Sequence, residues 1–198
     1  MKYRQTADDL LNTLRAWDEL ITGRGKIRLL ACGGTALTLL GYKESTKDVD
    51  FLIPEAREYK RLIDFLRNAG YEQVGGYKWK RAGETMEYDL FPGKKIFMTE
   101  LLTSPLEEGG HKVIMDFNKL YLGVLNSYDL MITKLARGAE VDYQDCLALL
   151  GNEKLDWEKF EERYKKAAKY SINYGIDEEK AMKNFRHLQT LYQEKKGE

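Results

Sequence analysis

This chain has no apolar run approaching the ~18 residues that a membrane-spanning helix needs. Its opening stretch, MKYRQTADDLLNTLRAW, also lacks the apolar core of a secretory leader. Those absences predict a cytoplasmic protein with no membrane partner. Cysteine is scarce: Cys32 and Cys146 lie in separate apolar segments, with no second Cys or His at metal-ligand spacing. A disulfide framework and a zinc site are therefore not expected, and buried thiols in a reducing compartment are. An excess of charge of one sign is missing too. Lys and Arg total 32 against 32 for Asp and Glu, so bulk charge gives no drive toward nonspecific nucleic-acid binding. There are three prolines, no internal repeat and no low-complexity linker. What remains is 43% hydrophobic and 12% aromatic, enough for one large domain or two small ones with a real core.

Periodicity divides the chain. Leu10, Leu11, Leu14, Trp17, Leu20 and Ile21 recur at helical spacing after a candidate N-cap, Thr6. KIRLLAC then reads as a buried strand, Gly33-Gly34 as a turn, TALTLLG as a short helix, and DVDFLI as a second strand stopped by Pro54. PEAREYKRLIDFLRNAG is an amphipathic helix ended by Gly70. Short strand-like pieces follow: YEQV, YKWKRA, TMEYDLF, KIFM, HKVIMDF and LYLGVL. From Ser127 onward the pattern is helical, in four segments beginning SYDLMITKLARG, DYQDCLALLG, DWEKFEERYKKAAKYS and DEEKAMKNF. The order predicts an α/β (α+β) fold: a mixed sheet with helices on one face over residues 1–125, then a helical region over 126–198.

Within the first half, chemistry-bearing residues cluster in ACGGTALTLLGYKESTKDVDFLIP. A Gly-Gly between a buried strand and a helix is either a tight turn or a place where backbone N–H groups approach a phosphate, with the Thr35 hydroxyl as a further donor. Strand alternation puts Asp48 and Asp50 on one face and Val49, Phe51 and Ile53 on the other. Two carboxylates at the start of an apolar strand repel each other and resist burial, so a cation is expected near them. Mg²⁺ takes one or two carboxylates together with water and substrate phosphates. In TMEYDLF, Asp89 occupies an apolar strand where a carboxylate is costly unless paired or coordinated, and Glu87 competes with it on the same face. If that strand lies beside the first, three carboxylates converge. Three such groups can hold the two divalent ions that serve in-line phosphoryl transfer.

Gly33-Gly34, a spacer, Asp48-Val49-Asp50 and the later Asp89 resemble the signature of the DNA polymerase β-like nucleotidyltransferase superfamily, within a small bacterial branch that includes AbiEii-type toxins. The resemblance spans about residues 27–150. It extends to SYDLMITKLARGAEVDYQDCLALL, where it implies that Lys134 faces nucleotide phosphates and that Asp142 and Asp145 open the next helix. The unaided alternatives are a solvated helix lysine and a simple N-cap. At Gly34 many superfamily members carry Ser, so one phosphate contact is lacking there. The resemblance implies a Mg²⁺- or Mn²⁺-dependent transfer of a nucleoside monophosphate from a nucleoside triphosphate to an acceptor hydroxyl on tRNA, a protein or a small molecule. Asp48, Asp50 and Asp89 would be the metal ligands and catalytic residues, with Gly33, Gly34, Thr35, Lys134 and Asp142 around the nucleotide. A toxin-like protein with an antitoxin partner is part of that implication. The competing reading is a nucleotide-binding or interaction protein that keeps the fold without turnover.

The remaining features are weaker. His111 and His187 have no partner at a diagnostic spacing, and no Walker-type loop, dinucleotide fingerprint or Gly-x-Ser-x-Gly occurs. GGYKWKRAG mixes three cations with two aromatics, which suits either a nucleic-acid grip or an ordinary surface hairpin.

Overall fold

The computed structural model describes residues 4–171 and 177–197. The chain forms two compact units: residues 1–94 with 104–125, and residues 95–103 with 126–198. The second unit therefore takes a short hairpin from the interior of the first stretch.

The first unit is built on a seven-stranded mixed sheet. In chain order its elements begin with α1 (Ala7–Leu20), β1 (Ile27–Ala31), α2 (Gly33–Leu39), β2 (Val49–Ile53) and α3 (Ala56–Asn68). β3 (Tyr71–Gly75), β4 (Lys78–Arg81) and β5 (Glu87–Pro92) follow. After the excursion into the other unit through β6 (Lys95–Ile96) and β7 (Thr99–Glu100), the chain returns as β8 (His111–Asp116) and β9 (Leu120–Leu125). The strands lie in the order β3-β4-β5-β2-β1-β9-β8. β2 pairs in parallel with β5, and β1 with β9; the other neighbours are antiparallel. The mixed α/β class read from the sequence is the one observed.

Each element forms for a local reason. Thr6 caps α1 with its side chain accepting from the Asp9 N–H, while Asp9 accepts in return from the Thr6 backbone, a reciprocal box that satisfies two otherwise orphaned donors. The central strands are apolar on both faces: Ile27, Leu29, Leu30, Phe51, Leu52 and Ile53 are all fully buried. Trp17 of α1 joins Phe65 of α3 with Tyr71 and Tyr88 of the sheet in an aromatic cluster, its ring centroids 5.0–5.9 Å from theirs. That cluster pins α1 and α3 to the face carrying Tyr88. The reverse face of β5 carries Glu87 and Asp89.

The second unit holds α4 (Ser127–Arg137), α5 (Glu140–Asn152), α6 (Trp157–Ser171) and α7 (Glu178–Gly197), with the β6–β7 hairpin. Its core is aromatic: Trp157, Phe160, Tyr164 and Phe185 pack together, Tyr164 stacked on Phe185 and the other pairs tilted or edge-on. α4 ends at Gly138, whose left-handed φ of 67° closes the last turn; a side chain there would also strike Asn184. Among the described residues no helix is long and apolar enough to cross a membrane.

Candidate functional site

The carboxylates are brought together by strand register. In the parallel β2–β5 pair Asp50 faces Asp89, and in the antiparallel β4–β5 pair Lys78 faces Asp89. Residues directly opposite in a sheet project on the same face of strands about 4.8 Å apart. Asp50, Asp89 and Lys78 thus form a row across three neighbouring strands. Asp48, just before β2, joins the row from one end: the Lys78 Nζ lies 3.1 Å from Asp89 Oδ2, 3.1 Å from Glu87 Oε2 and 3.9 Å from Asp48 Oδ1. Lys80 also reaches Glu87, at 3.7 Å.

The electrostatics follow from this packing. Burial alone would lower the Lys78 pKa, but its hydrogen bonds to Asp89 and Glu87 outweigh that and hold the ammonium above the ordinary lysine value. The Lys78 bond in turn depresses the Glu87 carboxyl below its usual range. Asp89 is 7% exposed, so the cost of burying its charge is met by the ammonium.

The glycines and threonines position the aspartates. Gly33 has φ of 56°, and a Cβ there would collide with Asp50 Oδ2. At Gly34 an added Cβ would stand 2.8 Å from Thr46 Oγ1. Both glycines therefore let the β1–α2 turn press against the aspartate strand. Thr35 is fully buried: its hydroxyl donates to the Asp48 carbonyl at 3.2 Å and accepts from the Asp50 N–H at 2.9 Å. Thr46 donates to the same Asp48 carbonyl at 2.8 Å. Expected as a phosphate donor, Thr35 instead spends its hydroxyl on the backbone of the two aspartates and fixes where they stand.

The helical-unit residues of the resemblance lie in closed ion pairs. Lys134, expected to face phosphates, is 5% exposed with its Nζ 2.7 Å from Asp145 Oδ2. Asp142 is 1% exposed, receives both the Nε and an Nη of Arg137 at 2.7 Å, and caps α5 by accepting from the Ala139 N–H. In this arrangement both residues tie α4 to α5.

The basic hairpin resolves into two roles. Trp79 is buried, with the Arg67 guanidinium over its ring, and so presents no open face for stacking bases, while Tyr77 is half-buried and packs on Phe91. Lys78 turns to the acids. That placement was missed in the sequence, although its signal is there: Lys78-Trp79-Lys80 alternates in mirror image to Glu87-Tyr88-Asp89. The histidines are structural. His111 bridges the Pro105 carbonyl and the Tyr121 hydroxyl at 2.7 Å each, and His187 meets the edge of Tyr143. Cys32 and Cys146 are buried and form no disulfide, and burial pushes the Cys146 thiol far up.

The donor set has the right chemistry for a hard divalent ion, carboxylate oxygens on one face. Its spacing is another matter: among the described residues no group of three or more His, Cys, Asp or Glu side chains is gathered closely enough to hold a metal. Lys78 is the cation at the centre of the cluster.

A family model described as "Nucleotidyltransferase of unknown function (DUF6036)" matches residues 8–197. The chain belongs to that family. It is also similar to a solved structure, that of an antigenic nucleotidyltransferase-like protein from Paracoccidioides brasiliensis. That match is 17% identical, covers 75% of this chain and 78% of the other, and has a TM-score of 0.48. No curated protein matches the sequence. Family membership agrees with the superfamily read from Gly33-Gly34 and Asp48-Val49-Asp50, and does not reach the AbiEii-type branch.

Proposed function

We propose that this protein is a divalent-metal-dependent nucleotidyltransferase that uses Mg²⁺ or Mn²⁺. The observation that carries the reading is the register of β2 against β5, which sets Asp50 beside Asp89 on one sheet face with Asp48 at its edge. An acceptor hydroxyl attacks the α-phosphorus of a nucleoside triphosphate. A new oxygen–phosphorus bond forms, the bond to the bridging α–β oxygen breaks, and pyrophosphate leaves with that electron pair. In this reading Asp89 would take the hydroxyl proton. Asp48, Asp50 and Asp89 are the carboxylates proposed to take the divalent ion, which would supply positive charge to the phosphates, although as they stand they are not gathered closely enough to hold it. Thr35, Gly33 and Gly34 keep the aspartates in place.

The motif resemblance favours an RNA or protein acceptor and a toxin-like role countered by an antitoxin. That part rests on analogy of sequence and not on the site itself. A second reading, a nucleotide-binding protein without turnover, is favoured by the ammonium seated among the carboxylates.

The test is incubation with triphosphates labelled at the α-phosphate, a divalent salt and total cellular RNA or protein extract. Transfer of label by the wild type and its loss in Asp50→Asn is the expected result. Equal labelling by both proteins, or labelling unaffected by a chelator, overturns the proposal.

A further inference from the structure

The side chain of Asp48 does little to hold it in the row. It is half-exposed, and the Lys78 ammonium stands 3.9 Å from it. Its place is set through the backbone: two hydroxyls donate to the Asp48 carbonyl, Thr35 at 3.2 Å and Thr46 at 2.8 Å. Thr46 is in turn tied to the segment ahead of α1. The Gln5 N–H donates to the Thr46 carbonyl at 2.8 Å, and the Thr46 N–H donates back to the Gln5 carbonyl at 2.9 Å. One residue earlier, Arg4 donates from Nε to the Ser45 hydroxyl at 2.7 Å and from an Nη to the Ser45 carbonyl at 2.9 Å. We infer that Arg4 and Gln5 are positioning residues for Asp48: they strap the loop that leads into β2, and Thr46 passes that hold to the aspartate. The inference rests on the nucleotidyltransferase reading above and adds to it two residues far from the acids in sequence.

Three observations carry it. First, the tie is built into the fold. Gln5 and Thr46 are both buried, and their two-bond antiparallel bridge is the one regular contact in a stretch, residues 40–48, that is otherwise neither helix nor strand. Ordering such a stretch costs chain entropy, and the strap bonds offset that cost. Secondly, Thr46 sits tightly enough to transmit a position: a Cβ added at Gly34 would stand 2.8 Å from its Oγ1. Thirdly, the two aspartates share one support. The Thr35 hydroxyl that donates to the Asp48 carbonyl also accepts from the Asp50 N–H, so a shift of the Asp48 peptide is felt at Asp50.

The consequence is a local effect on turnover. β2 is paired on both sides, with β1 and β5, so cutting the strap leaves the strand in place. What moves is the loop and the Asp48 peptide at its end. A displacement of about 1 Å in a reacting constellation can cost on the order of 10²-fold in rate. A merely structural strap would instead lower activity only as far as it lowers the folded fraction.

The experiment uses the full chain at a temperature where circular dichroism shows every variant folded. It reads label transfer and, by nuclear magnetic resonance, hydrogen exchange of the Asp50 amide. Gln5→Pro removes one donor of the bridge, and Thr46→Val keeps the side-chain shape while removing the hydroxyl. Both should lower the turnover number about tenfold or more and speed Asp50 exchange by a similar factor. Thr46→Ser, which keeps the hydroxyl, should stay within about twofold of wild type, as should Arg15→Ala, an exposed arginine of α1 bonded to Asn12. Arg4→Ala, which leaves the bridge intact, should fall between the two groups. Wild-type turnover in Thr46→Val, or an equal loss in Thr46→Ser, overturns the inference while leaving the enzyme reading standing. No label transfer by the wild type overturns the proposed function instead, and Asp50 exchange then decides the inference. Faster exchange in Gln5→Pro and Thr46→Val but not in Thr46→Ser supports it; unchanged exchange in the first two overturns it.

Discussion

Among the described residues of the helical unit, the buried carboxylates Asp129, Asp142 and Asp145 are each gripped at close range by a cation. Asp145 has Lys134 at 2.7 Å, Asp142 has the fork of Arg137, and Asp129, 2% exposed, has both Nε and an Nη of Arg163 at 2.8 Å. In the sheet unit the Lys78 ammonium is divided among Asp89, Glu87 and Asp48, at 3.1 Å, 3.1 Å and 3.9 Å, and Lys80 also reaches Glu87 at 3.7 Å. The first pattern is scaffold: a buried carboxylate and a short contact to one cation in each pair. The second is a loosely held cation on a half-open row of acids. Perturbed charge alone does not separate a site from a scaffold; how tightly each acid is matched does.

The largest effect that would break this comparison is catalytic. Asp50→Asn keeps size and register while removing the charge, and should lower label transfer on the order of 10³-fold, equivalent to several kcal/mol of barrier. Its melting temperature should change little, because Asp50 is only half-buried. A comparable loss of stability would move Asp50 into the scaffold class.

Next in size is the scaffold itself. Lys134→Met leaves Asp145 charged and buried without its ammonium and should cost about 3–5 kcal/mol in urea unfolding. Adding Asp145→Leu should recover most of that loss, since two apolar groups replace an ion pair nearly neutrally in a packed interior. If Lys134→Met is instead as stable as wild type, the pair is not scaffold, and the phosphate-facing role implied by the resemblance returns.

Much of this was legible in the residues. Alternation in Asp48-Val49-Asp50 named the apolar face correctly, since Val49, Phe51 and Ile53 are all fully buried. Thr6 was readable as a cap because its partner lies three residues away. The meeting of Asp89 with Asp50 could be stated only as a condition, because it depends on a parallel pairing between strands that α3, β3 and β4 separate in sequence. The commitment of Thr35 was hidden for the same reason: its hydroxyl bonds backbone thirteen and fifteen residues on, a tertiary contact that no local pattern encodes. KIFM reads as one more strand of the first half, yet residues 95–103 group with the helices. Nothing in a two-residue strand says which unit it joins.

A smaller effect sharpens the role of the glycines. Gly33→Ala places a Cβ at φ of 56° and against Asp50 Oδ2. It should cost about 1–3 kcal/mol in stability. It should also reduce transfer more than that stability loss explains, because the displaced group is the central carboxylate of the row. Gly25→Ala is the control: its φ is 78° but no atom lies within 4 Å of the added carbon, so strain is present without the collision. Activity of Gly25→Ala near wild type alongside a defective Gly33→Ala isolates the contact with Asp50.

The smallest effect concerns a carboxylate of neither kind, half-buried at a helix end. Asp9 accepts from the Thr6 N–H and hydroxyl at 2.9 Å each, and these bonds hold its pKa below the ordinary value. A depressed folded value means that the unfolded chain takes up the proton more readily. The stability from Asp9 is therefore complete above the ordinary aspartate pKa of about 3.9 and is lost as pH falls through the folded value. Thr6→Ala removes the cap and should cost about 1 kcal/mol at neutral pH. Asp9→Asn should cost less, and its deficit should shrink in acid, below the ordinary aspartate pKa, as the wild-type carboxyl is itself protonated. The Thr6→Ala deficit should shrink less, because the Thr6 hydroxyl still accepts from the Asp9 N–H whatever the charge. Unfolding curves of the three proteins at neutral and acid pH separate the charge from the cap. If the Asp9→Asn deficit stays constant with pH, the carboxylate acts through shape alone.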